Sequence, residues 1–297
     1  MSSPLSTAEV QIIRPGLQTT IQDFGRAGLR HKGVPASGAA DPRAMIRANR
    51  CVGVEDGAAV LEFTLNGPTL RLTADTGFAV AGAPCDVKLN GRVVSAFKGH
   101  LAKAGSLIEI GRITAGARGY IAFDRAIAAR EFGGSKSTHI YSGLGGHKGR
   151  ALEKHDRIKL GPRGGTGLSH EDSLRITDAQ ILRIVPGPEF RWLTEKTKTR
   201  LTRLPFTAGT QTDRMGTRLI GKTLRLKSKT PEMVSSALLP GTLQLPAGGQ
   251  IVLSLVDSHC TGGYVRAARI IRRDLPLTGQ IKPGSPIWFR WATEDDA

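Results

Sequence analysis

Two polar segments in the second half of the chain carry side chains that could act on a small substrate. The segment V-D-S-H-C-T-G-G-Y (256–264) follows an apolar run, and its Asp257 and His259 are two residues apart. In an extended chain they would face the same side, where a carboxylate and an imidazole could transfer protons. The alternative is an aspartate that satisfies loop amides and a histidine on the surface.

The segment T-D-R-M-G-T-R-L (212–219) places one acid, Asp213, and two guanidinium groups, Arg214 and Arg218, within a turn. A guanidinium can hold a carboxylate or phosphate through two hydrogen bonds, so both arginines are candidate substrate-binding residues and Asp213 is a candidate catalytic acid. The alternative is an Asp–Arg ion pair that fixes the turn. Gln244, in the predicted turn P-G-T-L-Q-L-P, could bind an amide-like substrate or satisfy backbone groups.

The stretch Gly16–Asn49 is rich in glycine and carries a second group of polar side chains. Glycine adopts positive φ and lets another backbone or a ligand come close, so the stretch is typical of loops that hold a binding site. Its candidate substrate-binding residues are Gln22, Asp23, Arg26 and Ser37. For the first three, the alternative is a structural role in fixing the loop.

A third polar group, Ser135, Lys136 and Ser137, follows a pair of glycines and predicts an anion-binding loop. Amides exposed beside glycine, together with lysine and serine side chains, can receive a phosphate or a carboxylate. The alternative is a solvated loop, since this composition is common in loops.

The segment G-T-R-L-I-G-K-T (216–223) satisfies the phosphate-loop pattern G-x-x-x-x-G-K-[ST], but its surroundings do not. A phosphate loop follows an apolar strand and opens a helix, whereas the alternating run T-L-R-L-K follows here. L-N-G-P-T-L-R-L (65–72) shares six of eight residues with L-I-G-K-T-L-R-L (219–226) and has proline in place of the lysine. We therefore predict a turn and a strand at 219–226, not a nucleotide site.

The charge of the chain is strongly positive. It holds 42 Lys and Arg against 25 Asp and Glu, a net charge of +17, and residues 183–229 alone contain 12 basic and 3 acidic side chains. Such a field attracts anions, nucleic acid or an acidic partner, unless it is a solvated surface. Specific nucleic-acid binding is not expected, because aromatic residues make up only 5% and no stacking platform overlies the basic region.

Cysteine and histidine spacing predicts no metal site. The three cysteines fit no zinc motif and cannot all pair, which is typical of a reducing compartment. His139, His147 and His155 lack a suitably spaced carboxylate. Because the N-terminus has no leader pattern and no apolar run reaches about 18 residues, we expect a cytoplasmic protein without a membrane segment.

Short β-branched or leucine-rich runs separated by glycine and proline predict a mainly β chain with a few short helices. Asp41 and Pro42 predict the cap and start of one helix, and a second is expected from about Glu189 to Leu201. A similar order of landmarks in both halves favours two related domains. We place them at residues 9–170 and 171–292, with the join in the glycine-rich 161–180.

Motifs along nearly the whole chain resemble one family. They are Q-D-F-G-R-A-G (22–28), G-V-P-A-S-G-A-A-D (33–41), L-E-F-T-L-N-G-P (61–68), G-S-K-S-T (134–138), D-R-M-G-T-R-L (213–219), P-G-T-L-Q-L-P (240–246) and T-G-G-Y (261–264). The chain resembles the bacterial proteins called allophanate hydrolase subunit 2, or biotin-dependent carboxyltransferase family proteins, which include the C subunit of ATP-dependent 5-oxoprolinase. The resemblance implies two related cyclophilin-like β-barrel domains, and it adds Thr261 and Tyr264 as substrate-binding candidates.

The resemblance also implies a function. A 5-oxoprolinase subunit of this kind would open the lactam of 5-oxo-L-proline to give L-glutamate and would be inactive alone. It would share a substrate pocket with a B-type partner, similar to allophanate hydrolase subunit 1, and would work with an A-type subunit. ATP would be used by the assembled complex, so no cofactor is expected on this chain by itself.

Two alternative functions remain. One is the carboxyltransferase component of a biotin-dependent urea or amide carboxylase, with biotin on a separate protein because this chain lacks an A-M-K-M attachment motif. The other is a non-catalytic regulatory partner of a kinase-inhibitor-like B subunit. The family pattern D-R-Q-T-T-G-G-Y is altered at Ser258, His259 and Cys260, which leaves the exact substrate open.

Overall fold

The chain folds into two compact units. A computed structural model describes residues 8–228 and 232–296. Unit 1 comprises the described residues up to Ala27 together with Ser37–Ile176, whereas unit 2 comprises Gly28–Ala36 together with the described residues from Thr177 onwards. The N-terminal residues considered for a leader pattern, up to residue 7, and Lys229 of the basic region lie outside the described residues.

Strands dominate both units, which confirms the prediction of a mainly β chain. The strands of unit 1 are β1 (Glu9–Arg14), β2 (Gln18–Gln22), β3 (Val60–Thr64), β4 (Thr69–Leu72), β5 (Thr76–Gly82), β6 (Val87–Leu89), β7 (Arg92–Val94), β8 (His100–Ala102), β9 (Leu107–Ile110), β10 (Arg118–Phe123), β11 (Arg125–Ile127) and β12 (Arg157–Arg163). Those of unit 2 are β13 (Gln180–Pro186), β14 (Phe206–Thr212), β15 (Gly216–Ile220), β16 (Ser236–Ala237), β17 (Thr242–Leu245), β18 (Val252–Ser254), β19 (Thr261–Gly262), β20 (Val265–Ile270) and β21 (Pro286–Trp291).

Helices are short and few. The α-helices are α1 (Pro42–Cys51) in unit 1, and α2 (Glu195–Arg203) and α3 (Leu275–Thr278) in unit 2. Turns of 3-10 helix occur at Arg30–Lys32, Ile140–Ser142, Phe190–Trp192, Arg272–Asp274 and Glu294–Asp296. Within residues 8–228 and 232–296, no helix combines the length and apolar character needed to cross a membrane.

Unit 1 contains two sheets that contribute to one hydrophobic core. The seven-stranded sheet has the order β11-β12-β1-β4-β9-β6-β7, and the five-stranded sheet has the order β2-β3-β10-β5-β8. Ile12 and Leu70 from the first sheet belong to the same buried cluster as Phe63 and Ile121 from the second. Full burial of an aliphatic or aromatic side chain contributes about 1.5–3 kcal/mol, so this shared core accounts for the pairing of the sheets.

Helix α1 packs on β5 and β10 of the five-stranded sheet. Val80 of β5 belongs to the core shared by the two sheets, whereas its neighbours Ala79 and Ala81 belong to a second cluster with Met45 of α1. Side chains alternate between the faces of a strand, so β5 is buried on both. The small alanines allow the helix to lie close to the strand.

A buried polar network holds the start of α1. The carboxylate of Glu62 accepts hydrogen bonds from the Tyr120 hydroxyl (2.9 Å) and the Ala40 amide (2.8 Å). The Tyr120 oxygen accepts one from the Asp41 amide at 2.7 Å. Burial, followed by the negative charges of Glu62 and Asp41, raises the pKa of Tyr120 well above its ordinary value, so the hydroxyl keeps the proton it donates.

The predicted start of α1 is right in position and wrong in one contact. Asp41 is the N-cap residue and Pro42 opens the helix, but the Asp41 carboxylate makes no capping hydrogen bond. It instead holds the guanidinium of Arg43 through contacts of 2.9 and 3.0 Å. A carboxylate engaged by a nearby arginine is not available to the helix amides.

Unit 2 is built on a closed seven-stranded barrel, which confirms the barrel prediction for this unit. Its strand order is β13-β20-β17-β18-β15-β14-β21, with β13 and β21 closing the ring in parallel. Leu182, Leu243, Leu253 and Phe289 are among the side chains of its core. Strands β16 and β19 form a separate two-stranded ribbon.

The second predicted helix begins later than expected. Glu189 precedes a 3-10 turn, and α2 starts only at Glu195, where the Thr194 side chain accepts a hydrogen bond from the Thr197 amide. Glu189 accepts hydrogen bonds from the Arg266 amide, Nε and Nη2 at 3.0, 2.9 and 2.6 Å. This ion pair fixes Glu189 in a turn beside β20, so it does not open a helix.

The strand predicted at the end of 219–226 is wrong. Leu219 and Ile220 complete β15, and the following residues form a turn in which Leu226 makes only an isolated bridge to Leu193. The corresponding Thr69–Leu72 in unit 1 is the regular strand β4. Alternating polarity at 223–227 therefore reflects a chain lying along the surface of α2 and its preceding turn, to which it is hydrogen-bonded.

Glu189→Gln is expected to destabilise the protein at neutral pH and progressively less in acid. The Arg266 hydrogen bonds lower the pKa of Glu189 below its ordinary 4.5, although burial opposes the shift. A carboxylate with a lowered folded pKa stabilises the fold above the unfolded pKa, and that contribution disappears as the pH falls through the folded pKa. The loss at pH 7 should be about 1.5–3 kcal/mol in urea unfolding.

The same unfolding series, run from pH 7 to pH 3, should show the difference from wild type shrinking below pH 4.5. Glu195→Gln is the matched control, because Glu195 is exposed and forms its ion pair with Lys198 at the surface. A loss of the same size at pH 3 and pH 7 would refute the assignment.

Candidate functional site

A cavity of about 510 Å³ in unit 2 brings together four predicted residues: Asp213, Arg218, Gln244 and His259. We call it the barrel cavity. Its volume lies in the range of about 300–1,000 Å³ that small-molecule sites occupy. Sequence reasoning missed several other lining residues, which include Thr210, Gln211, Thr212, Leu238 and Ser254.

Barrel strands supply much of the cavity wall. On β17, Leu243 and Leu245 belong to the hydrophobic core, and Gln244 between them lines the cavity, as the two-residue period of a strand requires. Ser254 ends β18 and Gly216 begins β15. The turn predicted around Gln244 is therefore wrong, because this residue lies in strand β17. A polar residue between two buried leucines is the signal in the sequence that could have marked this wall of the cavity.

Two buried side chains of the barrel cavity are neutral hydrogen-bonding groups. Gln244 is 7% exposed, and its Nε2 donates to Ser254 Oγ at 2.9 Å. The Ser258 hydroxyl is also buried and has no hydrogen-bond partner within the described residues. Because a buried hydroxyl without a partner is costly, Ser258 is suited to bind a polar ligand group. A Cβ at Gly262 would lie 2.9 Å from Gln244 Oε1, so this glycine leaves room for the amide.

Asp257 and Arg214 form a buried ion pair. Arg214 Nε and Nη2 donate to the two carboxylate oxygens of Asp257 at 2.8 and 3.0 Å, and both side chains are at most 5% exposed. The chain turns at Val256–Asp257, so the predicted extended arrangement of Asp257 and His259 on one side is wrong. Arg214 was predicted to bind a substrate anion, but the carboxylate that it binds in the structure is the internal Asp257, and neither member of the pair lines the cavity.

Asp213 lines the barrel cavity and also shapes its own turn. One oxygen of its carboxylate accepts hydrogen bonds from the amides of Met215 (2.7 Å) and Gly216 (3.0 Å). Arg218 lies on β15 with an exposed side chain. The two predicted arginines therefore have different roles. Arg214 is structural, whereas the exposed Arg218 is free to contact an anionic ligand in the cavity.

Arg30 braces the barrel cavity and was missed by sequence reasoning. It lies in Gly28–Ala36, the segment that belongs to unit 2. Its Nη2 donates to the carbonyl oxygens of Leu238 and of His259, the latter at 2.9 Å. Both of these residues line the cavity, so one guanidinium joins two parts of its wall. No motif in the sequence marks Arg30 for this role.

Thr261 and Tyr264 lie next to the cavity residues in sequence but are not part of its lining. Thr261 is in β19 and pairs with Ala237 of the ribbon. Tyr264 is 51% exposed. Their predicted role in substrate binding stays a prediction.

In unit 1, the predicted anion-binding loop and the predicted site residue Asp23 bind each other. The Asp23 carboxylate accepts hydrogen bonds from the Ser135 and Ser137 hydroxyls, both at 2.5 Å, and from the Lys136 amide at 2.6 Å. The Lys136 ammonium donates to the Ile127 carbonyl at 2.9 Å. The expected anion is thus a carboxylate of the same chain, and the loop's donors are engaged with it.

Gln22, Arg26 and Ser37 are buried in the same unit. Gln22 Nε2 donates to the Thr138 carbonyl at 3.1 Å, and the Arg26 guanidinium donates to the carbonyls of Phe132 and Ser137. These contacts tie the glycine-rich stretch to residues 132–138. For Gln22 and Arg26, this geometry fits the structural alternative better than direct substrate binding. The buried Ser37 hydroxyl has no hydrogen-bond partner within the described residues, so its predicted role in substrate binding stays a prediction.

The family model of the carboxyltransferase domain, subdomains A and B, matches residues 32–291. The chain belongs to this carboxyltransferase domain family. Among curated relatives, it is 34% identical to the C subunit of the Escherichia coli 5-oxoprolinase, covering 97% of this chain and 93% of that protein. It is 30% identical to the C subunit of the Haemophilus influenzae 5-oxoprolinase, with the same coverage of each chain.

Other members of the carboxyltransferase family are much longer. The chain is 30% identical to urea amidolyase of Saccharomyces cerevisiae over 94% of its own length but only 16% of that protein. Among solved structures, the Kluyveromyces lactis urea amidolyase aligns with a TM-score of 0.91 and 26% identity over 98% of this chain and 19% of its own. The structure of TTHA0988 aligns with a TM-score of 0.84 and 29% identity over 98% of this chain and 57% of its own.

Asp257→Ala is expected to lower the free energy of unfolding by about 3–5 kcal/mol, because it leaves the Arg214 charge buried without its carboxylate. Asp213→Ala, which removes an exposed carboxylate nearby, should cost less. Urea unfolding of both variants tests this, and equal losses would contradict it. The double variant Arg214→Met/Asp257→Leu should lose less than the sum of its single variants, because no isolated charge remains.

Arg30→Ala is expected to loosen the cavity wall without unfolding the barrel. Losing charged hydrogen bonds to Leu238 and His259 should raise amide exchange around both residues by at least about tenfold, as expected for bonds of about 1.5–3 kcal/mol. Hydrogen–deuterium exchange with mass spectrometry measures this locally. Lys32→Ala removes an exposed charge from the same segment and should leave exchange unchanged. If the amides around Leu238 and His259 exchanged at the same rate in both variants, Arg30 would not stabilise the cavity wall.

Proposed function

We propose that this chain is a subunit of an ATP-dependent 5-oxoprolinase and that its barrel cavity binds 5-oxo-L-proline. The observation that carries the proposal is the near full-length match with the C subunit of the Escherichia coli 5-oxoprolinase, which covers 97% of one chain and 93% of the other. The urea amidolyase relatives share the family, but this chain corresponds to only 16% of the Saccharomyces cerevisiae protein. The extent of the match therefore favours the 5-oxoprolinase subunit.

The chemistry of the barrel cavity supports this substrate. 5-Oxo-L-proline combines a lactam, which donates one hydrogen bond and accepts others, with a carboxylate. Gln244 and Ser258 offer neutral donors and acceptors suited to the lactam. Arg218 offers a guanidinium suited to the carboxylate, and the cavity volume of about 510 Å³ admits a molecule of this size.

Ring opening adds water across the lactam C–N bond, so the carbonyl becomes a carboxylate and the nitrogen becomes an amine. His259 is the one imidazole in the described cavity lining and is the candidate group for moving a proton during this step. Gln244 and Ser258 would orient the lactam, while the exposed Arg218 would hold the other end of the molecule. Asp257 would act through Arg214 and the turn it fixes, not by contact with substrate.

The remaining parts of the enzyme are proposed to come from B-type and A-type partner subunits. The named relatives are themselves called subunits of 5-oxoprolinase, which supports a multi-subunit assembly. ATP would be hydrolysed by the assembly, where phosphorylation of the lactam oxygen would activate the carbonyl. This chain alone is expected to show no turnover.

The test is 5-oxoproline-dependent ATP hydrolysis by this chain reconstituted with B- and A-type partners. Gln244→Ala and Arg218→Ala should each raise KM by about 10–100-fold, because each removes a hydrogen bond worth about 1.5–3 kcal/mol to a charged or buried group. His259→Ala should lower kcat more than it raises KM. Thr207→Ala, an exposed change on β14 outside the cavity, is the control.

Other outcomes would assign one of the alternatives. If an assembly that copurifies intact showed no turnover, the proposal would be refuted. Bicarbonate-dependent ATP hydrolysis with a biotinylated partner would indicate the carboxyltransferase. Partner binding that persists in the Gln244→Ala and Arg218→Ala variants, without catalysis in either assay, would indicate a regulatory protein.

A further inference from the structure

A second cavity in unit 2, also of about 510 Å³, has four basic side chains and no acidic one in its described lining. They are Lys196 and Arg200 of α2, and Lys222 and Arg225 of the turn after β15. We call it the cationic cavity. Threonines complete its described lining, so every side chain in that lining is a hydrogen-bond donor.

Hydrogen bonds fix the two walls of the cationic cavity against each other. The Thr197 hydroxyl donates to the Arg225 carbonyl at 2.9 Å and accepts from the Arg225 amide at 2.8 Å. Arg200 Nη1 donates to the Thr223 carbonyl at 2.9 Å. Thr197 is 1% exposed, so this connection is shielded from water. The cations are therefore attached to a rigid frame rather than to a loose loop.

Among the described residues, none of the four cations of the cationic cavity forms an ion pair with an acid. The nearest acid in sequence, Glu195, pairs with Lys198 at 2.7 Å, and neither residue lines the cavity. Four like charges around one concavity repel one another, and a bound anion removes that repulsion. The arrangement favours a ligand with more than one negative charge.

Two residues that line the cationic cavity come from the segment that satisfies the phosphate-loop pattern. Lys222 and Thr223 are its last two residues, and they sit in the turn that follows β15. The structure lacks the strand-loop-helix context of a phosphate loop at this point, so the amides do not form the usual cradle. Here the candidate binding groups are side chains, and two of the four cations come from α2.

We propose that the cationic cavity binds the phosphate groups of an oligophosphate, either free or as part of a nucleotide. Phosphate groups carry more charge per volume than carboxylates and accept several hydrogen bonds at once, which matches two guanidinium groups, two ammonium groups and a threonine hydroxyl. The site is separate from the barrel cavity, since the two share no lining residue. The proposal does not depend on the 5-oxoprolinase function.

Titration calorimetry with inorganic pyrophosphate tests the proposal on the full chain. Ionic strength is held constant with sodium chloride, because exposed charges are screened. The double variant Lys222→Ala/Arg225→Ala should weaken pyrophosphate binding at least about tenfold, and Lys196→Ala should weaken it less. Arg203→Ala is the matched control: it removes an exposed cation from the same helix, outside the cavity, and should leave affinity within about twofold.

Comparison of pyrophosphate with ADP separates the two sources of phosphate. Equal affinity assigns a free oligophosphate, whereas at least about tenfold tighter binding of ADP, lost in the double variant, assigns a nucleotide. Malonate is the carboxylate probe, and binding as tight as that of pyrophosphate would overturn the phosphate assignment. So would undetectable pyrophosphate binding by wild type, or an equal loss in Arg203→Ala. The variants' circular dichroism spectra should match that of wild type, since the substituted side chains lie at the surface.

Discussion

The buried ion pair between Arg214 and Asp257 is the constraint on which the barrel cavity depends. Two charges removed from water remain stable only when they are close and fully hydrogen-bonded, so their relative position is tightly limited. Arg214 lies between the cavity residues Asp213 and Met215, and Asp257 directly precedes Ser258. Fixing the pair therefore fixes the turn after β14 against the turn after β18, and the wall of the cavity follows from that.

Several of the scarce acidic side chains connect segments inside the fold. Glu62, Glu189 and Asp257 are each at most 8% exposed and each accepts more than one hydrogen bond. With 25 acids against 42 Lys and Arg, using acids in this way leaves many exposed cations without a counter-charge. In unit 2, the cationic cavity brings four of the basic side chains together in one concave site.

The sequence predicted what depends on local pattern. Short β-branched or leucine-rich runs mark the strands, and Pro42 marks the start of α1, because each depends on residues within its own element. Contacts between segments that are distant in sequence could not be predicted from local pattern. Arg214 has an acid beside it in sequence, yet it binds one 43 residues away, and Asp23 binds a loop more than 110 residues away. The sequence offers several possible partners to each of these two side chains, and only the folded chain selects among them.

Gly28–Ala36 belongs to unit 2 although unit 1 surrounds it in sequence. The chain therefore has no single cut that separates its two units. A fragment starting at Thr177 would keep every barrel strand but lose Arg30, the residue that joins Leu238 to His259. Genetic exchange of the second half between relatives would face the same difficulty, because a new barrel would have to accept residues 28–36 of the resident first half. The two halves of this gene are thus expected to change together.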